Sequence, residues 1–299
     1  MKRVVSVSLG SSKRNKSSRA TILGEEFVIE RIGVDGDLGA FARKFSELDG
    51  NVDAIGVGGA DIYLWIDDRR YTFKQIARLI SGAKRTPVVD GSGLKHTLER
   101  KLIHTLAQSG AVDFANGSAL LTSAVDRFGM ARALSEVCPR VVYGDLMFAV
   151  GLPIRLRSLR SVRVLGRIVL PIITRLPFKW FYPTGEKQEK RTPKFRWAFD
   201  EASVVCGDWP FIRRYCPARM EGKAVITNTL RKDDLAFLRD AGVAKAITST
   251  PQIDGESFGT NVMEGVLVSV LGKRPEELGE SDYLEALSRL NWEPNVFSL

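Results

Sequence analysis

Apolar and polar residues alternate over 3–9 (RVVSVSL) and again over 26–32 (EFVIERI). A period of two predicts strands with one buried face, and the Ser/Lys/Arg-rich stretch between them reads as the turn of a strand pair. The spacing then lengthens to that of an amphipathic helix over about 38–48, returns to a strand at DAIGVGG, and runs into a hairpin-like stretch, IYLWIDDRRYTF. A helix over 74–82 and the strand TPVVDGSG follow. Leu94, Leu98, Leu102 and Leu106 recur at helical spacing until Gly110 ends the helix.

Beyond Gly110, buried strands alternate with amphipathic helices: SALLTSAV, DRFGMARALSEV, RVVYGDL, SVVCGD, a short helix near Phe211–Tyr215, KAVITNT, DDLAFLRDAG and AKAITSTP. That alternation is the mark of a parallel sheet. Two helices, roughly 260–271 and 281–290, close the chain. The predicted fold is α/β. Residues 1–110 form a small substrate-binding α/β domain with a connecting helix. Residues 111–259 form a Rossmann-like parallel-sheet nucleotide domain carrying a basic, apolar insertion at 152–190. Residues 260–299 form C-terminal helices that pack back on the first domain.

Composition narrows this picture. Cys138, Cys206 and Cys216 form no CxxC pair and have no histidine nearby, so neither a disulfide framework nor a zinc site is expected, and a reducing cytoplasm fits. His96 and His104 also lack partners at ligand spacing, and no metal is predicted. The start MKRVVSVSLGSS is too short and too polar for a signal peptide, and no stretch reaches the roughly 18–20 apolar residues of a membrane span. The net charge of +9 raises nucleic acid, anionic membrane or a phosphate-bearing ligand as partners. Its cations collect at Lys13–Arg19 and from Arg155 to Lys194 without a nucleic-acid-binding signature, so no nucleic acid is expected.

Four local patterns give the chain a family resemblance. Val88-Val89-Asp90-Gly91-Ser92-Gly93 opens a helix, a strand-turn-helix covers 118–136, Asp145 ends the next strand, and Thr227-Asn228-Thr229 ends a later one. Together with the domain order these resemble the shikimate/quinate dehydrogenase family. VVDGSGLKHTLERK, SAVDRFGM, YPTGEKQE and SFGTNVMEG look more specifically like bacterial proteins labelled quinate 5-dehydrogenase. The resemblance implies NAD as cofactor and a small hydroxylated carboxylic acid as substrate.

It also implies site residues. The family's diphosphate loop corresponds to Ser123, Ala124, Asp126, Arg127 and Gly129, where only the third glycine of the usual set remains. Asp126 either stands against phosphate, with Arg127 gripping a phosphate oxygen in compensation, or caps the helix. Asp145, 19 residues after Asp126, stands where an acidic side chain accepts hydrogen bonds from the adenosine ribose and favours NAD over NADP. Thr227, Asn228 and Thr229 would lie beside the cofactor.

Oxidising an alcohol requires a group that takes the hydroxyl proton. Asp90 matches the family's catalytic aspartate, but the stretch that should supply its lysine, about 52–66, contains none. Lys95 is the nearest substitute, and Asp61 occupies the expected loop with the opposite charge. Ser11 in the glycine-containing turn after the first strand and Asn261 at a helix start facing the cleft are candidate contacts to an anionic substrate.

The insertion mixes arginines with apolar residues. It fits a lid in which Tyr182, Thr184, Lys187 and Gln188 touch substrate, a helix contacting a membrane surface through 152–182, a homodimer interface, or helices packed on the sheet. The leading expectation is an NAD-dependent oxidoreductase. The alternatives are a membrane-surface-associated transferase on a two-domain Rossmann-like scaffold and a non-catalytic metabolite-binding protein.

Overall fold

Val4, Val5 and Val7 are completely buried, which makes the first strand the centre of a sheet covered on both faces. In the computed structural model, which describes residues 1–177, 191–250, 252–253 and 256–299, that strand is β1 (Lys2–Ser8). β2 (Lys16–Ile22) and β3 (Glu25–Gly33) follow, then helix α1 (Leu38–Leu48) and β4 (Ala54–Gly58). A separate hairpin of β5 (Tyr63–Ile66) and β6 (Arg69–Thr72) leads to α2 (Lys74–Leu79) and β7 (Val88–Val89). The sheet order is β2-β3-β1-β4-β7, with β1 parallel to both β3 and β4.

The two alternating stretches do pair, but in parallel. The polar stretch between them is itself mostly a strand, β2, antiparallel to β3 at the sheet edge. Lysine, serine and arginine suit an edge that must refuse further strands.

Helix α3 (Ser92–Gln108) carries the chain to a second sheet. There β8 (Ala119–Leu121), α4 (Phe128–Val137) and β9 (Val141–Tyr143) lead into one π-helical turn, Asp145–Val150. After α5 (Leu159–Ile173) and α6 (Arg196–Glu201) come β10 (Val204–Cys206), α7 (Trp209–Tyr215), β11 (Ala224–Thr227), α8 (Lys232–Asp240) and β12 (Lys245–Thr248). A short ladder of β13 (Gln252–Ile253) and β14 (Glu256–Ser257) precedes α9 (Thr260–Leu271) and α10 (Glu280–Arg289). α9 packs on β1, β4 and β7 of the first sheet and α10 on α3. The final strand, β15 (Asn295–Ser298), then returns to the second sheet antiparallel to β12. The second order is β15-β12-β11-β10-β8-β9.

Both sheets are Rossmann-like: apart from the antiparallel edge strands β2 and β15, parallel strands are wound outward in two directions from the first one. The order reverses between β1 and β4 in one and between β8 and β10 in the other. Ligands of such sheets bind outside the strand carboxyl ends at these reversal points.

Gly129 lets α4 pack directly on α3. A β-carbon there would lie 2.3 Å from the carbonyl oxygen of His96, because α4 crosses α3 backbone to backbone. Gly129→Ala is expected to lower stability by about 1–3 kcal/mol through overpacking, read by urea denaturation. An unchanged midpoint would show that the helices separate freely.

Candidate functional site

The carboxyl ends of both sheets open on one cleft of about 1210 Å³. Ser6, Ser8 and Gly58–Asp61 line it from the first unit, and Ser123, Asp145, Asp208 and Asn228–Lys232 line it from the second. Both reversal points therefore face the same space.

The turn after β8 is the natural seat for an anion, and an internal carboxylate already occupies it. Asp145 accepts hydrogen bonds from the backbone N–H of Ala124 at 3.1 Å and of Val125 at 2.9 Å, using both oxygens. Burial pushes its carboxyl up to about 6, against the pull of those two amides. At 6% exposure Asp145 serves the turn rather than a ribose. Gly129 is used for helix packing, as described above. Arg127 is buried and consumed by Glu99 and by Asp208, the latter at 2.6 Å, so it grips no phosphate. The turn over 123–129, as folded, does not fit a dinucleotide diphosphate, and the roles expected of Ala124, Arg127, Gly129 and Asp145 are corrected accordingly. Ser123 and Asp126 line the cleft, and Asp126 does not cap α4. Its Oδ1 accepts from Lys95 Nζ at 2.7 Å.

Lys95 sits between two carboxylates, Asp126 and, at 3.6 Å, Asp61. Burial works against its charge, but the two carboxylates outweigh that and hold the ammonium well above the ordinary lysine range. Asp126 is correspondingly held below the usual carboxylate range, the pull of Lys95 and Arg127 exceeding the cost of burial. Lys95 is therefore paired with Asp61 and Asp126, and not with Asp90, the residue matching the family's aspartate. Asp90 accepts the N–H groups of Ile62, Tyr63 and Ser92 at 2.6, 2.8 and 2.9 Å and pins the hairpin β5–β6 to the start of α3. With both oxygens engaged this way, Asp90 is a positioning residue.

A second charged group lies in the cleft that the sequence reading missed. Arg31, near the end of β3, donates to Ser8 Oγ and to the Ser11 carbonyl oxygen, both at 3.0 Å and both neutral. Burial, followed by the like charges of Arg14 and Arg231, lowers its guanidinium to about 10. A β-carbon on Gly10 would lie 3.0 Å from Arg31 Nη2 and 3.5 Å from Arg14 Nη2, so both guanidinium ends converge over the end of β1. Arg231 comes from the other unit, at the start of α8. In the sequence Arg31 is merely the polar member of an alternating strand. Only the shared cleft of the two units brings it near Arg231.

Ser11, expected to touch substrate, instead caps the helical turn Ser12–Arg14 by accepting from the Lys13 N–H. Asn261 does line the cleft and donates to Ser6 Oγ at 2.8 Å. Asn228 and Thr229 line it too, while Thr227 is buried and donates to the Asn228 side chain at 3.0 Å. Lys187, with Tyr182, Thr184 and Gln188, lies outside the described residues.

The insertion forms one wall. α5 turns Leu165, Val169 and Ile173 into the cleft, while its outer side carries Val164, Ile168 and Ile172, 52%, 63% and 58% exposed. Arg163 and Arg167 anchor this helix to Asp67 of the hairpin turn. No helix among the described residues is long and apolar enough to cross a membrane.

Residues 93–299 match the model of a family described as a domain of unknown function, DUF8754. The chain belongs to that family. Residues 3–90 match a second such model, DUF8753, so the DUF8754 match begins close to where β7 passes into α3. A search of the curated proteins finds no match. Solved structures similar to this DUF8754 member include the hetero-hexameric glutamate dehydrogenase of Thermus thermophilus, 14% identical, TM-score 0.44, covering 97% of this chain and 74% of that one. The NAD-dependent malic enzyme of Thermotoga maritima is 12% identical, TM-score 0.36, covering 96% and 83%. A sugar-transport substrate-binding protein of Bordetella parapertussis is 12% identical, TM-score 0.36, covering 90% and 78%. These likenesses are too distant to argue a reaction from.

Proposed function

We propose that the cleft between the two sheets binds a small hydroxylated acid, its acid group held by Arg31 together with Arg14 and Arg231. The observation that carries this reading is the crowding at Arg31. Three like charges from two units line one partly buried space, offset in part by Asp35, and the acceptors that Arg31 hydrogen-bonds are neutral. Cations gathered around one partly buried space attract anions, so affinity for acids is the natural product of this arrangement. Lys95 with Asp61 and Asp126 lines the same cleft and supplies a permanent cation flanked by two acceptors, suited to hydroxyl groups.

Of the functions that the sequence raises, this supports metabolite binding directly. An NAD-linked oxidoreductase of the shikimate/quinate type remains compatible with the Rossmann-like sheet, but it would need the dinucleotide seated elsewhere than the turn at 123–129. We therefore assign binding and derive no hydride step.

The test is calorimetric titration of the full chain with glycerate, malate and inorganic phosphate. Binding that weakens as salt rises is expected, and Arg31→Gln or Arg231→Gln should weaken it about tenfold or more, each removing a charge-assisted hydrogen bond. Affinity that both variants leave untouched, or no affinity for any of these acids, would overturn the reading.

A further inference from the structure

A short hydroxy acid leaves most of this cleft unfilled, and the unfilled part is apolar. Leu146 from the π-helical turn, Leu165, Val169 and Ile173 from α5, Phe211 from α7 and Leu235 from α8 all line it, and each is only half-buried. Half of this wall comes from the inserted helix, which a simple strand-to-strand crossover does not require. The same cleft is lined by Arg14, Arg31 and Arg231. At about 1210 Å³ the cleft also exceeds the roughly 300–1,000 Å³ usual for small-molecule sites. Leaving apolar side chains wet inside a concave space is unfavourable, and a ligand with methylene groups to offer would displace that water.

From this we infer that the ligand is an anionic amphiphile, with an acid head at Arg31, Arg14 and Arg231 and an aliphatic tail along the wall built by α5. The inference rests on the acid-binding reading above and names the class of acid. α5 is then the specificity element: its inward face selects chain length, and the arginines select charge. Gly166 lets the helix approach closely enough to do so, since a β-carbon there would lie 2.7 Å from Ile66 Cδ1.

The experiment is a titration of the full chain with butyrate, hexanoate, octanoate and decanoate, each below its micelle concentration, alongside inorganic phosphate. Affinity is expected to rise up to about three- to fourfold per added methylene. Val169→Trp, which fills the apolar arm, or Leu165→Asn, which wets it, should flatten the series while phosphate affinity stays unchanged, with circular dichroism confirming the fold. Arg31→Gln should weaken every member by the same factor. Short acids binding as tightly as decanoate would overturn the amphiphile and leave the acid seat standing. Loss of all binding, phosphate included, would remove the acid seat itself. A chain-length series that both α5 variants leave intact would place the tail elsewhere and also refute the inference.

Discussion

Arg127→Met should destabilise the chain by about 3–5 kcal/mol at pH 8, because it strands a buried carboxylate rather than merely removing a contact. Arg127 joins three elements at the second reversal point. It reaches Glu99 on α3, Asp208 at the start of α7 and, at 3.7 Å, the neighbouring Asp126. Glu99 is 1% exposed, and burial pushes its carboxyl up to about 7 even with Arg127 beside it. A folded-state value above the unfolded one means that Glu99 favours the fold below about pH 4.5, and that this contribution is lost as pH rises through 7. Removing Arg127 raises the folded value further, so the loss should be large at pH 8 and much smaller at pH 5, where Glu99 is protonated either way. Urea denaturation at the two pH values measures this. Combining Arg127→Met with Glu99→Leu should recover most of the loss, since an apolar pair of similar volume replaces a buried ion pair at little cost. Equal losses at pH 5 and pH 8 would mean that Glu99 is not the group left stranded.

The sequence was most informative where a signal is local. The period of α1 and the leucine spacing of α3 come from side chains that bury one helical face, and Phe41, Phe45, Leu94, Leu98, Leu102 and Leu106 all do so. Strand alternation also located β1 and β3, but pairing direction is a property of the whole sheet, and so their parallel arrangement and the intervening β2 were not visible. The site shows the same division. Lys95, Asp61 and Asp126 were recognisable as charges in the right segments. Their partners were not, because the choice between Asp90 and Asp126 for Lys95 depends on how α3 crosses α4. Asp145 illustrates the limit most clearly. An acidic residue ending the second strand of such a sheet faces either a ribose or its own turn amides, and spacing alone cannot distinguish the two. Arg31 carried no signal at all, since its partner Arg231 lies 200 residues away.

Lys95→Met should cost a further amount of the same order, about 3–5 kcal/mol at pH 7, but with a different pH window. Its loss leaves Asp126 and Asp61 facing each other without the ammonium that lies 2.7 Å from one and 3.6 Å from the other. Asp126 is held below the usual carboxylate range by that cation, so its contribution is present above the unfolded value near 4 and lost as pH falls through the depressed folded value. The deficit of Lys95→Met should therefore persist at pH 5, where that of Arg127→Met has mostly closed, and shrink only in stronger acid. Adding Asp126→Asn to Lys95→Met should restore much of the stability by removing the repelled charge. The same geometry limits what Lys95 can do to a ligand. An ammonium held protonated by two carboxylates donates hydrogen bonds and does not accept a proton, so any proton acceptor in this part of the cleft must be Asp61 or Asp126. If Lys95→Met were as stable as the parent at pH 7, the three groups would not act as one buried unit, and that assignment would fall with it.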